Sequence, residues 1–209
     1  MGSFGVAIGL SGGGSSPVHF PSDPNYPGNG RNASSTTRPN GDTLSLTVIC
    51  PSVILGPWVH HLGPSGLASL NLSNRKIRNI VRGEYRSSRL PQVLNPLWVD
   101  VRDVALAHVE AALRLDSSGP SSNGRYVVSS PEPFNYHLVG EIIREEFPEW
   151  AEEVLPLREE MPPFKNMFLD GTPATRDLGV KYRSFKECIV ELVRQLRAEV
   201  LREGEVDKS

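Results

Sequence analysis

The sequence lacks most of the features that define specialised protein classes. Two cysteines, Cys50 and Cys188, among 209 residues are too few for a disulfide framework, and no metal-ligand spacing is present. A formal net charge of −2 provides no general attraction to nucleic acid or acidic lipid. No apolar run is long enough to span a bilayer, and no secretory signal is present. These absences predict a cytoplasmic protein with no metal, nucleic-acid or membrane partner.

Glycine and proline are frequent, with 19 and 18 residues, but they are unevenly placed. Residues 1–42 are mostly Gly, Ser, Pro, Asn and Thr without apolar periodicity. Such a segment cannot bury enough surface to offset the entropy of ordering it. We therefore expect a flexible low-complexity segment over 1–42, a folded region over 43–202 and a disordered tail over 203–209.

Short apolar segments alternate with amphipathic ones through the folded region. LSLTVIC, residues 44–50, is continuously apolar toward its end and stops at Pro51, which is typical of a buried strand in a parallel sheet. Further strands are predicted at 97–99 and 125–130. Strands that alternate with helices favour an α/β fold with parallel pairing.

Capping residues mark the ends of the predicted helices. Gly83 is expected to end the first helix, and Asp103 to cap the second. Ser184, followed three positions later by Glu187, predicts a capping box at the start of the last helix. The four predicted helices cover residues 66–82, 103–115, 135–147 and 184–202.

Three stretches of this region carry a family resemblance: LTVICPSVILGP (46–57), LWVDVRDVALAHVEAAL (97–113) and FLDGTPATRDLGVKYRSFKECI (168–189). Their order and spacing resemble the C-terminal half of the extended short-chain dehydrogenases/reductases, in the NAD-dependent epimerase/dehydratase superfamily. Within it, the fungal aldehyde and ketone reductases that resemble dihydroflavonol 4-reductase are the most similar. The resemblance implies a partial Rossmann-like α/β fold, the C-terminal substrate-side half, with a mainly helical C-terminal region. It also implies an NAD(P)-dependent oxidoreductase, a ketoreductase that converts aldehydes or ketones to alcohols.

The same resemblance implies where the cofactor and substrate bind. The loop from Gly56 to Ser65, with Trp58 and Leu62, would form an apolar wall around a small-molecule carbonyl substrate. Three residues would contact the nicotinamide of NADP or NAD through backbone groups: Pro51, Ser52 and Val53.

Two parts of the family's chemistry are not found. Gly9-x-x-Gly12-x-x-Ser15 approaches the glycine fingerprint, but the proline-rich sequence after it cannot form the helix that presents amides to a pyrophosphate. The Tyr-x-x-x-Lys pair occurs once, at Tyr182 and Lys186, where the family has a packing aromatic before its final helix. We assign no catalytic residue, and expect a fragment that binds NADP or NAD poorly and is inactive alone.

Other polar residues have structural explanations. Asp100 and Asp103 are expected to be capping and loop hydrogen-bonding residues and not catalytic acids. His108 is expected to pack on its helix, and Tyr136 and His137 lie at a predicted helix start and need no functional account.

The strand at 44–50 should have neighbours on both flanks, and the strand at 125–130 accounts for only one of them. An unpaired apolar flank is a template for self-association and lowers the stability of the isolated chain.

Two alternatives to a reductase fragment remain. One is a non-catalytic binding or interaction module that retains the substrate-side half of the fold. The other, less favoured, is part of a nucleotide-sugar epimerase or dehydratase, because DLGVKYRSFKECI and LWVDVRDVA look more like the reductase branch.

Overall fold

The computed structural model describes residues 5–8, 36–37, 43–44, 46–114, 124–162 and 167–206, and side chains over 46–114, 124–162 and 167–204. Its strands are β1 (Gly5–Ile8), β2 (Thr36–Thr37), β3 (Thr43–Leu44), β4 (Leu46–Pro51), β5 (Val53–Leu55), β6 (Trp98–Asp100) and β7 (Gly124–Val128). A 3-10 helix covers Gly63–Ser69. The α-helices are α1 (Leu72–Val81), α2 (Val101–Arg114), α3 (Tyr136–Glu146), α4 (Pro148–Val154), α5 (Thr172–Leu178) and α6 (Phe185–Val206).

The central sheet has the order β1-β4-β7. β4 and β7 are parallel, with Thr47 opposite Gly124 and Pro51 opposite Val128, so the predicted parallel pairing is confirmed. β5 leaves this sheet and pairs in parallel with β6. Helices α2 and α5 pack against β4 and β7 through a shared apolar cluster that includes the fully buried Ile49. The α/β class is therefore confirmed.

The expected unpaired flank of β4 is wrong. β1 pairs with β4 in antiparallel orientation, with Gly5 opposite Ile49 and Ile8 opposite Leu46. GVAI is short, apolar and free of proline, so it can form the backbone ladder that this flank requires. The unpaired edge was the reason for expecting self-association, and the structure removes that reason. Self-association itself is not tested.

Two parts of the expected flexible segment are strands instead. Besides β1, the two-residue strands β2 and β3 pair in antiparallel orientation, with Thr36 opposite Leu44. β-branched threonines favour pairing in a β-sheet. In the sequence, the surrounding glycine and proline residues obscured this preference and indicated a flexible segment. The remainder of residues 1–42, including Gly9, Gly12 and Ser15, lies outside the described residues.

The first predicted helix is divided by Leu70, whose ψ of 147° is extended, into the 3-10 helix and α1. Its end is as predicted, because Gly83 adopts a positive φ of 73°. There the Gly83 N–H donates to the Ile80 carbonyl at 2.9 Å and the Glu84 N–H to the Asn79 carbonyl at 3.0 Å. This pair of hydrogen bonds is the Schellman motif of a helix C-terminus, whose positive φ glycine adopts at no steric cost.

Two of the predicted helix starts are confirmed and one is wrong. Asn135 caps α3 by accepting the Leu138 N–H at 2.7 Å, and Ser184 accepts the Glu187 N–H at 3.2 Å ahead of α6. Asp103, expected to be an N-cap, lies inside the first turn of α2 because that helix already begins at Val101. Its carboxylate bonds to a distant arginine and not to its own helix.

The expected disordered tail is wrong for residues 203–206, because α6 continues to Val206. Glu203 accepts the Leu67 N–H at 3.2 Å and forms an ion pair with Arg82 at 3.3 Å. These two contacts tie the last turns of α6 to the 3-10 helix and to the end of α1.

The larger apolar core lies among α1, α3, α4 and α6, and β5 and β6 border it. Trp98 is fully buried there and meets Phe185 edge to face, with ring centroids 4.9 Å apart. The mainly helical C-terminal region is thereby packed against the strands whose ends position the site. Across the described part of the chain, every helix is too short or too polar to cross a membrane.

Candidate functional site

The chain crosses from one sheet to the other at the carboxyl ends of the parallel strands β4 and β7. Pro51 ends β4, and the Ser52 N–H then donates to the Val128 carbonyl at 3.1 Å. The Val53 N–H donates to the Leu97 carbonyl at 3.3 Å as β5 begins. Ligands of open α/β sheets bind outside the carboxyl ends of the strands, which is where this crossing lies.

These hydrogen bonds limit which groups of residues 51–53 can bind a nicotinamide. Because both N–H groups bond to carbonyls of the fold, they are not donors for a ligand. The Ser52 hydroxyl differs, since its Oγ is buried and has no hydrogen-bonding partner among the described residues. A buried hydroxyl of this kind requires a partner, and a carboxamide can supply one. The segment therefore fits a nicotinamide through Ser52 Oγ, while its contacts with the cofactor remain a prediction.

Asn74 fixes the loop that follows β5. Its Oδ1 accepts the Gly56 N–H at 3.3 Å, and its Nδ2 donates to the Gly56 carbonyl at 2.7 Å. Gly56 has a φ of +128°, and a Cβ there would lie 3.0 Å from Val101 Cγ1. The position therefore requires glycine for both its backbone angle and its close approach to α2.

Gln195 holds the next part of the loop in the same way. The Trp58 N–H donates to Gln195 Oε1 at 3.0 Å, and Gln195 Nε2 donates to the Trp58 carbonyl at 2.7 Å. Trp58 and Leu62 are half-buried against the larger core. The implied substrate wall is thus a loop fixed by two side-chain amides, from α1 and α6.

Sequence reasoning missed both of these positioning residues. Asn74 is 5 % exposed on the apolar face of α1, and a buried amide requires a hydrogen-bonding partner. The position of this polar residue among the apolar Leu70, Ile77 and Val81 was the sequence signal that could have indicated its role. Gln195 carried no such signal, because its partner is 137 positions away in the chain.

Asp100 and Arg102 form a buried ion pair at the start of α2. The Asp100 carboxylate is fully buried and accepts from Arg102 Nε at 2.9 Å, Arg102 Nη2 at 2.7 Å and the Arg102 backbone N–H at 2.8 Å. Burial works to raise the pKa of Asp100, but the hydrogen bonds and charge of Arg102 outweigh it and hold the pKa below its usual value. Arg102 also pairs with Glu191 of α6.

Asp103 bonds to a different arginine. It accepts the Arg183 backbone N–H at 2.9 Å and forms an ion pair with the Arg183 guanidinium. Burial raises the pKa of Asp103, against the hydrogen bond and charge of Arg183. Both aspartates are therefore hydrogen-bonded to arginines, although Asp103 does not cap its helix as expected. Among the described side chains, no group of three or more His, Cys, Asp or Glu is placed to hold a metal ion.

Cys188 lies beside this ion-pair network and is fully buried. Burial and the nearby Asp100 carboxylate raise the pKa of the Cys188 thiol far above its usual value. The thiol therefore stays protonated and hydrogen-bonds to Asp100, which makes it a packing group and not a nucleophile.

Tyr182 and Lys186 are not arranged as a catalytic pair. The Tyr182 hydroxyl donates to the Gly171 carbonyl at 3.3 Å, and burial raises the pKa of Tyr182. Lys186 Nζ lies 2.7 Å from Glu145 and 2.7 Å from Glu146, with its side chain 48 % exposed. The phenol packs and the ammonium faces solvent, as expected.

The other singled-out polar residues occupy structural positions. His108 Nδ1 lies 2.8 Å from the Val104 carbonyl of its own helix. Tyr136 contacts Phe134 edge to face, and burial together with the neighbouring Tyr85 raises the pKa of Tyr136 to about 12. His137 borders a cavity of about 240 Å³ beside α3, and its Nδ1 has no partner among the described residues.

Comparison with known proteins gives one consistent set of relatives. No family model matches the sequence. Ketoreductase azaE of Aspergillus niger is 31 % identical over 158 residues, which are 75 % of this chain and 44 % of that protein. Cinnamoyl-CoA reductase 2 of Arabidopsis thaliana is 30 % identical over 156 residues, which are 74 % of this chain and 41 % of that protein.

Solved structures of Gre2 reductases are also similar to this chain. The structure of Gre2 from Candida albicans in complex with NADPH has a TM-score of 0.59 and 27 % identity, covering 74 % of this chain and 44 % of that one. Yeast methylglyoxal/isovaleraldehyde reductase Gre2 complexed with NADPH has a TM-score of 0.59 and 25 % identity, covering 77 % and 44 %. The chain thus spans about two fifths of the length of the relatives it matches.

Proposed function

We propose that this chain, which carries the C-terminal part of the extended short-chain dehydrogenase/reductase fold, forms the substrate side of an NADPH-dependent reductase of aldehydes or ketones. The strand crossing at residues 51–53 carries the proposal. It lies at the carboxyl ends of two parallel strands, and it contains a buried hydroxyl, Ser52 Oγ, that lacks a partner among the described residues. The similarity to reductases solved with NADPH supports NADPH as the cofactor.

In this proposal, the described residues bind and orient and do not transfer protons. NADPH, when bound, supplies the hydride. Pro51, Ser52 and Val53 would hold the nicotinamide, with Ser52 Oγ as the hydrogen-bonding partner of its carboxamide. An oriented nicotinamide and a bound carbonyl gain rate from proximity, which is the contribution of such residues.

The loop after β5 shapes the other side of the substrate. Asn74 and Gln195 hold its backbone at Gly56 and Trp58, so the loop keeps its shape when the substrate binds. The half-buried Trp58 and Leu62 present apolar surface that excludes water from the reacting carbonyl.

The proton donor and the phosphate-binding loop lie outside the described residues in this proposal. Tyr182 and Lys186 form the one Tyr-x-x-x-Lys pair of the sequence, but both make other contacts. Tyr182 donates to the Gly171 carbonyl, and Lys186 pairs with two glutamates. The described region therefore requires the nucleotide-binding part of the fold to act, and it is inactive without it.

A chimera tests this assignment. Residues 46–206 replace the matching segment of Candida albicans Gre2, and NADPH oxidation is followed with a panel of aldehydes and ketones. We expect turnover, with a substrate preference that differs from that of Gre2. Trp58→Ala is expected to raise KM for bulky substrates several-fold, whereas Leu94→Ala, at an exposed position outside this loop, leaves it unchanged.

Two results would count against the proposal. A chimera that folds and binds NADPH but reduces no carbonyl would favour a non-catalytic module. Turnover of nucleotide sugars without net NADPH oxidation would favour an epimerase.

A further inference from the structure

Strand β1 occupies one flank of β4, the strand that leads into the proposed nicotinamide contact at residues 51–53. Its ladder runs from Gly5 opposite Ile49 to Ile8 opposite Leu46, and β1 also contacts α2. β7 takes the other flank of β4 and is parallel to it. Both flanks of β4 are therefore paired while β1 is in place.

The orientation of β1 separates its carboxyl end from the site. Because β1 is antiparallel to β4, Ile8 lies opposite Leu46 at the start of β4. A strand rises about 3.3 Å per residue, so Ile8 lies about 16 Å along the sheet from Pro51, where the site begins. Loops that bind the phosphates of a dinucleotide follow the carboxyl ends of strands. β1 therefore fills the flank without presenting its carboxyl end to residues 51–53.

The proposed reductase needs a strand of the opposite orientation beside β4. A cofactor that reaches residues 51–53 has its phosphate-binding loop at the same end of the sheet, which requires a strand parallel to β4. The flank held by β1 is one strand spacing of about 4.8 Å from β4, whereas a strand on the outer edge of β7 would be twice as far away. The nucleotide-binding part of the fold and β1 therefore compete for one edge.

We propose that β1 is an autoinhibitory strand, which must leave β4 before the nucleotide-binding part can pair there. The autoinhibition rests on the proposed function, in which that part completes the site. While β1 is docked, the edge of β4 is closed to any other strand. When β1 is displaced, the edge is open along the part of β4 that leads to residues 51–53.

The hydrogen bonds of β4 divide between its two flanks. The Ser52 N–H donates to the Val128 carbonyl on the β7 side, and successive residues of a strand point to alternate flanks. The N–H groups of Thr47 and Ile49 therefore point to β1. Thr47 lies opposite Ala7, so these two residues exchange N–H···O bonds across the ladder.

This alternation gives a matched pair of proline substitutions. Ala7→Pro removes the N–H that donates to the Thr47 carbonyl, and so breaks the ladder between β1 and β4. Val6 lies opposite Val48 in a pair without such bonds, and its N–H points away from β4. Val6→Pro therefore keeps the ladder, since an edge strand accepts proline where the N–H faces outward.

Amide hydrogen exchange of the full 209-residue chain measures whether β1 holds the flank. Thr47 and Ile49 should exchange at least about tenfold faster in Ala7→Pro than in the unmodified chain, and less than about threefold faster in Val6→Pro. The N–H of Cys50 points to β7 and should not change in either variant. Equal exchange of Thr47 and Ile49 in all three chains would overturn the proposal.

Two extensions of the Gre2 chimera test the competition. The β1 chimera carries residues 1–206 in place of 46–206, and the linker chimera carries a Gly/Ser linker in place of residues 1–45. If β1 holds the edge in about nine chains of ten, the β1 chimera oxidises NADPH about tenfold more slowly than the linker chimera. Ala7→Pro should restore the rate of the linker chimera, and Val6→Pro should not.

The outcomes separate autoinhibition from the proposed function. Equal rates in the β1 and linker chimeras would overturn autoinhibition and leave the proposed function standing. If no chimera reduces a carbonyl, the proposed function fails, and hydrogen exchange in the β1 chimera still decides which strand holds the edge. Faster exchange of Thr47 and Ile49 on Ala7→Pro would show that β1 holds it against the nucleotide-binding part, whereas unchanged exchange would overturn autoinhibition.

Discussion

Asn74 holds Gly56 with both atoms of one carboxamide, accepting its N–H at 3.3 Å and donating to its carbonyl at 2.7 Å. The Asn74 side chain thus supplies the two hydrogen bonds that a neighbouring strand would otherwise make with the backbone just after β5. The loop that carries Trp58 therefore begins from a fixed point, although it belongs to no sheet.

Asn74→Ala should lower the free energy of unfolding by about 2–4 kcal/mol, because it leaves a buried N–H and a buried carbonyl without partners. Urea denaturation measures the change. Asn71→Ala is the matched control, because Asn71 is exposed and makes no capping bond to its helix. We expect that control to change stability by less than about 0.5 kcal/mol. Equal effects of the two substitutions would contradict the role of Asn74.

Asp100→Asn should be strongly destabilising at neutral pH, by about 3 kcal/mol, because it breaks a buried ion pair with Arg102. The folded-state pKa of Asp100 lies below its usual value, so the carboxylate stabilises the fold fully above about pH 4. That stabilisation is lost as pH falls through the folded-state pKa. The stability gap between the native chain and Asp100→Asn should therefore close below pH 4.

Asp103→Asn provides the comparison for this pH profile. Burial raises the pKa of Asp103, so ionisation of this carboxyl is disfavoured by folding and adds no stability at neutral pH. We expect Asp103→Asn to cost less than Asp100→Asn at pH 7, in denaturation series run from pH 7 to pH 3. A gap for Asp100→Asn that stays constant down to pH 3 would rule out the assigned direction.

Removing residues 203–209 should destabilise the chain by about 1–2 kcal/mol, because Glu203 is lost from the Leu67 N–H and from Arg82. Removing only 207–209 keeps both contacts and serves as the control. Glu203→Gln keeps the acceptor for the Leu67 N–H and should fall between the two. Thermal unfolding distinguishes the three chains, and equal midpoints would show that the last turns of α6 add nothing.

Gly171→Ala should cost about 1–3 kcal/mol through overpacking. The added Cβ would lie 2.6 Å from the Tyr182 hydroxyl and 2.8 Å from the Ser129 carbonyl. Tyr182→Phe removes the first contact and not the second, so it should recover part of the loss. Chemical denaturation of the two single variants and the double variant measures this coupling. Strict additivity would show that Tyr182 and Gly171 do not constrain each other.

Local patterns predicted those parts of the fold that local forces decide. The apolar run before Pro51, the Ser184 cap and the glycine at position 83 each act within a few residues. Each of them appears in the structure as predicted.

The remaining features depend on contacts between distant residues. Pairing of Gly5 with Ile49 gives GVAI a strand partner, and pairing of Glu203 with Leu67 extends α6 beyond its expected end. The loop clamp by Gln195 and the bond from Arg183 to Asp103 span 137 and 80 positions. No periodicity or capping signal encodes such distances.

The most direct measurement follows NADPH oxidation by the unmodified 209-residue chain beside the Gre2 chimera, with the same aldehydes and ketones at equal protein concentration. The central proposal is that the described residues provide the wall and the nicotinamide contact but no proton donor. It predicts turnover by the chimera and a background rate for the unmodified chain. Turnover by the unmodified chain at a rate similar to that of the chimera would contradict the claim.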